Sequence, residues 1–267
     1  MGLETKKTSL QLSWFWLLTV TFCLIVSSCK VSSPDPLNHI SDPEVKRVLN
    51  KAYDSAGGFD TYANMDSIIF DKKSVLYLAD GSTESSVEQR HAYSLHPTPS
   101  GTISWTDSIG NQTIRFDPEG AYKTLNGSRV PDSEKSATSS FFSNYYVLLL
   151  PFKFVDPGVT LSYEGTTTID KRTADIIKAV YAPEVHDNHS TSDEWWLFFD
   201  REDGKVISNL VYHEPTYAYI ENTESTDEYP LRMNLFRQTW RTDQNRNKEY
   251  LRGEFWYSNY AFTSILD

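Results

Sequence analysis

Over most of this chain apolar and polar positions alternate in short segments with the two-residue period of strands, and the helical period governs only two places. The first follows Ser41-Asp42-Pro43, which offers a capping side chain and a proline at the first helical position. From there Val45, Val48, Leu49, Ala52 and Tyr53 hold one face until Gly57-Gly58. A further helical turn is expected over Phe59 to Met65. The second place is Ser140 to Phe154, the longest apolar run outside the N-terminus. There Phe141, Phe142, Tyr145, Tyr146 and Leu149 form a helical stripe, with Ser139 or Ser140 as the expected N-cap and Pro151 as the stop. Val147, Leu148 and Leu150 make this helix apolar nearly all round, so it is expected to be enclosed on more than one side.

Everything else reads as strand and turn. Between Ser67 and Leu125 the breaks are Asp80-Gly81, Pro97 with Pro99, Ile109-Gly110-Asn111 and Pro118-Glu119-Gly120. Spacing this short predicts antiparallel hairpins, because a parallel crossover needs a dozen residues or more. Asn126 to Thr138 reads as a polar loop. Strands resume at Val159, and Asp203-Gly204 marks a hairpin between Glu194–Asp200 and the segment from Lys205 to His213. The expected architecture is mainly β, one antiparallel sheet of roughly nine to eleven strands with two helical pieces.

The segment Glu194–Asp200 breaks the alternation. Trp195, Leu197 and Phe199 lie on one side and Trp196 and Phe198 on the other, so both faces require cover. The two helices are the expected cover, with Trp196 or Phe198 facing the stripe from Phe141 to Leu149. A curved sheet wrapped around helices satisfies this pattern better than a flat sandwich.

The N-terminus changes where this domain is expected to be. Lys6 and Lys7 precede an apolar segment from Leu12 to Val26, short of the roughly 20 residues that span a bilayer. Val26-Ser27-Ser28-Cys29 resembles a bacterial lipobox, which implies a signal peptide over 1–28 and a lipidated Cys29 carrying acyl chains such as palmitate. Residues 29–40, with Pro34 and Pro36, read as a tether, and 41–267 as the folded domain. Cys23 falls within the signal, leaving one cysteine and no disulfide. The 267-residue chain carries a net charge of −11, which argues against a nucleic-acid partner and against attachment through a basic patch. Membrane attachment then falls to the acyl chains.

Catalytic signatures are absent: there is no G-x-S-x-G, P-loop, dinucleotide fingerprint or H-E-x-x-H. His186 and His189, with Asp187, Asp193 and Glu194 nearby, have metal-ligand character, but the surrounding serines read as a connecting loop. His213-Glu214-Pro215 reads as a strand end rather than an acid/base pair. No cofactor and no enzymatic activity are expected, and an envelope hydrolase with convergent carboxylates is the weakest alternative.

The order of elements resembles bacterial lipoprotein carriers of the LolA/LolB type. The agreement extends to Tyr163-Glu164-Gly165-Thr166-Thr167-Thr168-Ile169-Asp170-Lys171-Arg172-Thr173-Ala174-Asp175-Ile176 and to the hairpin from Glu194 to Val206. Leu149 to Gly158, with Gly57-Gly58-Phe59, is similar to uncharacterised lipoproteins of Bacteroidetes-type bacteria. This resemblance spans about Pro43 to His213. It implies an open half-barrel with helices in its concave side and a cavity for an acyl chain, lipid or lipoprotein. Phe141, Phe142, Tyr145, Tyr146, Leu149, Trp196 and Phe198 are the expected ligand-binding residues. The implied location is the outer membrane, facing the periplasm; a scaffolding lipoprotein that presents a surface to a protein partner is the alternative.

Overall fold

A computed structural model describes residues 35–182 and 193–265. Helix α1 (Pro43–Ser55) starts where the capping signal places it, with Asp42 Oδ1 accepting the amides of Glu44 (2.8 Å) and Val45 (3.4 Å). Its five expected apolar positions, Val45, Val48, Leu49, Ala52 and Tyr53, are all buried. The chain turns at Gly57 and Gly58, both at positive φ, into the short helix α2 (Phe59–Ala63).

Thirteen strands then form one antiparallel sheet. They are β1 (Met65–Tyr77), β2 (Thr83–Ser94), β3 (Ser100–Asp107), β4 (Gly110–Asp117), β5 (Gly120–Leu125), β6 (Ser128–Arg129), β7 (Val159–Ile169), β8 (Arg172–Tyr181), β9 (Glu194–Asp200), β10 (Val206–His213), β11 (Thr216–Thr226), β12 (Met233–Thr242) and β13 (Lys248–Ser264). The spatial order is β6-β5-β4-β3-β2-β1-β13-β12-β11-β10-β9-β8-β7. Nearly every pair is therefore a sequence neighbour, and the long-range closure is β1 on β13, running from Met65↔Ser264 to Leu76↔Gly253. The sheet curves but does not close, since β6 and β7 are its two edges. β7 runs unbroken through a bulge at Glu164 and Gly165.

Helix α3 (Glu134–Leu148) lies in the connection between those two edges. It begins well before the expected cap at Ser139 or Ser140, so the last five residues of the expected polar loop Asn126 to Thr138, from Glu134 on, are helical. Burial explains the extension. Ala137, fully buried, stands one turn ahead of Phe141 and two ahead of Tyr145, so the apolar stripe starts earlier than the aromatic residues reveal. Ser133 Oγ donates to Val130 O (2.7 Å) and accepts the amide of Lys123 (3.0 Å), tying the helix start to β5. Leu149 ends α3, and a 3-10 turn (Phe152–Val155) follows Pro151. Phe152 stacks on Tyr62 (4.6 Å between centroids) and Tyr53 (5.5 Å), joining this turn to α1 and α2.

α3 packs on β3, β4 and β5, whereas α1 packs on β7. Phe141 fills the space between Phe116 (4.5 Å) and Tyr93 (5.2 Å) on the concave face. On the far side α1 sits over the β9–β10 turn, where Lys51 Nζ donates to Arg201 O (2.5 Å). Gly204 in that turn has φ +78°, and a Cβ there would lie 2.5 Å from Lys51 O, so a side chain would collide.

Two sequence expectations change here. Within the segment 29–40 expected as a tether, Leu37 (0 % exposed) and Ile40 (9 %) belong to the core. Asp35 Oδ1 accepts the amide of Leu37 (2.9 Å), fixing the turn that buries it. Second, the two-faced strand β9 is not sandwiched between helices. Trp195, Leu197 and Phe199 join the main core, while Phe198 joins a separate cluster of Ile169, Ala174, Leu210 and Tyr219 on the convex face, with Trp196 packed against it. Arg246 lies over the Phe198 ring (4.8 Å) and Lys178 over Trp196 (4.8 Å), so long cationic side chains supply the second cover.

Candidate functional site

β10 and β11 pair from His213↔Thr216 to Ser208↔Glu221, and there their ladder stops. β11 continues to Thr226 against β12 alone. The splayed ends, Val206 and Ile207 on one side and Thr223 to Ser225 on the other, border a cavity of about 700 Å³, within the range of small-molecule sites. α1 contributes Ala52 and its C-cap Ala56, α3 contributes Val147 with Leu150 just past its end, and the sheet contributes Asn209, Asn222, Leu235 and Arg237.

Register shows which of these side chains enter the hollow. Asn209 stands opposite Leu197 and Ile220, both core residues, so it shares their concave face. Arg237 stands opposite Asn222 and Phe255 on that same face. It is 5 % exposed; its Nη1 donates to the Tyr257 hydroxyl (3.3 Å), while its Nε has no partner. Asn209 is 1 % exposed, and neither atom of its amide has a partner. Burying such groups unpaired costs on the order of 1–3 kcal/mol each.

Other cations around the cavity are engaged. Arg172 pairs with Asp200 (3.5 Å), Arg232 with Asp227 (2.6 Å) and Lys205 with Asp203 (2.9 Å). Arg237 makes no ion pair among the described residues, and neither does Lys72 on β1. Lys72 Nζ donates to Asn144 Oδ1 (2.6 Å) and lies over Phe255 (4.9 Å) and Tyr257 (6.0 Å). Burial of the ammonium, with Arg237 as a like-charged neighbour, pushes Lys72 down to about 7. His91, fully buried, is held well below its ordinary value by burial and by Lys72, and so stays neutral. Its Nδ1 meets the Tyr93 hydroxyl (2.5 Å). The interior of the half-barrel is thus basic along β1 and β12 and apolar beneath α3.

The residues expected to bind a ligand are placed differently. Phe141, Tyr145, Tyr146 and Leu149 are 0 to 3 % exposed, packed between α3 and the sheet, and Phe142 is half-buried beside Phe116 (4.8 Å). None of the five borders the cavity; Val147 of the same helix does, with Leu150 just past its end. Trp196 and Phe198 do not face α3. It is Trp195 that meets Tyr146 (5.4 Å), because alternation puts Trp196 and Phe198 on the convex face. There they line a shallow groove with Ile176, Tyr217 and Arg246.

Arg237 and Asn209 went unselected in the sequence, although a signal existed. Met233, Leu235 and Arg237 share one face of β12, so an arginine continues an apolar row. Asn209 likewise shares a face with the buried Val211.

Cys29, His186 and His189 lie outside the described residues. Among those described, no group of three or more metal-ligating side chains occurs, and no helix is long and apolar enough to cross a membrane. His213 ends β10, its Nδ1 2.6 Å from Asp193 Oδ1.

No protein-family profile and no curated protein sequence matches the chain. Solved structures do. A DUF1329 family protein from Desulfovibrio piger superposes with a TM-score of 0.55 at 11 % identity, covering 82 % of this chain and 92 % of its own. A LolA superfamily protein from Nitrosomonas europaea superposes with a TM-score of 0.53 at 9 % identity, covering 82 % and 93 %. At such identities the likeness is one of fold, and it extends over nearly the whole of both neighbours. This chain therefore shares its fold with these two proteins, an open curved antiparallel sheet with helices on its concave side.

Proposed function

We propose that this protein is a lipid-anchored component of the bacterial cell envelope that binds or carries a hydrophobic ligand, an acyl chain or a lipid bearing one, inside its half-barrel. The observation that carries this reading is the cavity of about 700 Å³ at the end of α3, with one apolar wall of Val147, Leu150 and Leu235 and a largely polar border along the splayed ends of β10 and β11. Transfer of an acyl chain into such a space contributes about 0.8 kcal/mol per methylene, so partial insertion supplies useful affinity. In this reading Phe141, Phe142, Tyr145, Tyr146 and Leu149 form the wall behind Val147 and Leu150. A long chain meets them only by parting α3 from β3, β4 and β5. The anchor is the acylated Cys29, the site of action is the periplasmic face of the outer membrane, and no chemistry is performed on the ligand.

Lipid extraction of the purified protein followed by mass spectrometry tests the reading. A co-purifying acyl-containing species near one per chain is expected. Its absence, together with no uptake of added lipid, overturns it. The anchor has a separate readout: Cys29→Ala is expected to accumulate as unprocessed, unacylated precursor, and normal acylation of that variant removes the anchor from the proposal.

A further inference from the structure

We propose that the cavity selects an anionic amphiphile, whose negatively charged head group is held by Arg237 and Asn209 while its tail lies along Val147 and Leu150. This rests on the reading of the cavity as a hydrophobic-ligand site and adds which end of the ligand is recognised, and how.

Three observations converge. Arg237 is almost wholly buried, borders the cavity, leaves its Nε unpartnered and has no carboxylate counter-ion among the described residues. A buried guanidinium with only a phenol beside it is costly unless an anion completes it, and its planar fork suits a carboxylate or phosphate. Asn209, on the same concave face and bordering the same cavity, has both amide atoms unpartnered, so its Nδ2 is a free donor for the same head group. Lys72, joined to Arg237 through their common contact with Tyr257, is a second basic group near this end of the cavity. Three acids line this cavity: Asp170 and Glu224 are exposed, and Glu221 pairs with Lys248 (2.8 Å).

Carboxylate and phosphate head groups present the same chemistry to this pair, and a binding assay separates them. The delipidated full chain is titrated with cis-parinaric acid and with its methyl ester, which share a tail and differ in charge, and then competed with oleate and with oleoyl lysophosphatidate. The expected result is at least ten-fold tighter binding of the acid than of the ester. Arg237→Gln erases the preference with ester binding unchanged, and Arg237→Lys retains part of it. Stronger competition by lysophosphatidate assigns a phosphate head group, and stronger competition by oleate a carboxylate. Should Arg237→Gln not fold, Asn209→Leu, which removes the orphaned amide, carries the same expectation of a narrowed preference. Equal binding of acid and ester overturns this inference while leaving the hydrophobic-ligand reading intact. Binding of neither overturns both.

Discussion

Arg47 on α1 and Asp175 on β8 are joined by two parallel hydrogen bonds, Nη1 to Oδ2 at 3.1 Å and Nη2 to Oδ1 at 3.0 Å. The carboxylate is 2 % exposed and also accepts from the Tyr163 hydroxyl (2.8 Å). This fork fastens α1 to the β7–β8 edge of the sheet, and with it one wall of the cavity. Burial by itself would raise the Asp175 carboxyl, but the bonds from Arg47 and Tyr163 outweigh it and hold the carboxyl below its ordinary value. Arg47→Ala strands a buried carboxylate, and a loss of about 2 kcal/mol is expected, discounted because the arginine is partly exposed. Since the folded value is lowered, the contribution is present above the ordinary 3.8 and disappears as pH falls through the folded value. Urea denaturation at pH 7 and at a series of pH values below 3.8 checks both points: the variant and the parent should differ at neutral pH, and the difference should shrink as the pH falls.

Leu37 tests where the domain begins. It is wholly buried and contacts the main core, although the sequence around it has the composition of a linker. Leu37→Ala is expected to cost about 2–4 kcal/mol, as in other cores, measured by urea denaturation. A change under 0.5 kcal/mol would mean that residues 35 to 40 do not pack on the domain.

Lys72 gives a pH dependence of opposite sign. Its folded value, about 7, lies below the ordinary 10.5, so between these limits the unfolded chain binds more protons and stability rises with pH. The charged and titratable groups near it are Arg237, His91 and Tyr257; His91 is depressed below 6.5 and adds no slope in this window. From pH 7.5 to pH 9.5 the parent is expected to gain about 2 kcal/mol from this group. Lys72→Met should remove that gain and be the more stable protein at pH 7.5. Chemical denaturation of both at the two pH values decides it, and an unchanged slope in the variant would place the titration elsewhere.

Much of the architecture was legible because it rests on local rules. Asp42-Pro43 and the face from Val45 to Tyr53 specify α1 through capping and period alone. The hairpins follow from short turns between alternating segments, which is why strand after strand pairs with its neighbour. The sequence reading fell short where burial, rather than propensity, decides. Serine and threonine before Phe141 favour caps and turns, yet Ala137 is carried into the core and the helix begins at Glu134. The composition of residues 29–40 suggests a linker, yet Leu37 and Ile40 are drawn into a core built by residues far away in the chain.

By itself, then, the sequence determined a mainly antiparallel sheet curved around two helices, through spacing and period, while the open half-barrel was what its resemblance to carriers of the LolA/LolB type implied. Which face of β9 meets α3, and which side chains border the hollow, were decided only in three dimensions. A one-residue step along a strand moves a side chain to the other face of the sheet, so Trp195 rather than Trp196 looks inward. Arg237 and Asn209 come together as candidate ligand contacts only because β10, β11 and β12 align in one register and β10 then parts from β11, leaving two buried polar groups beside an open space.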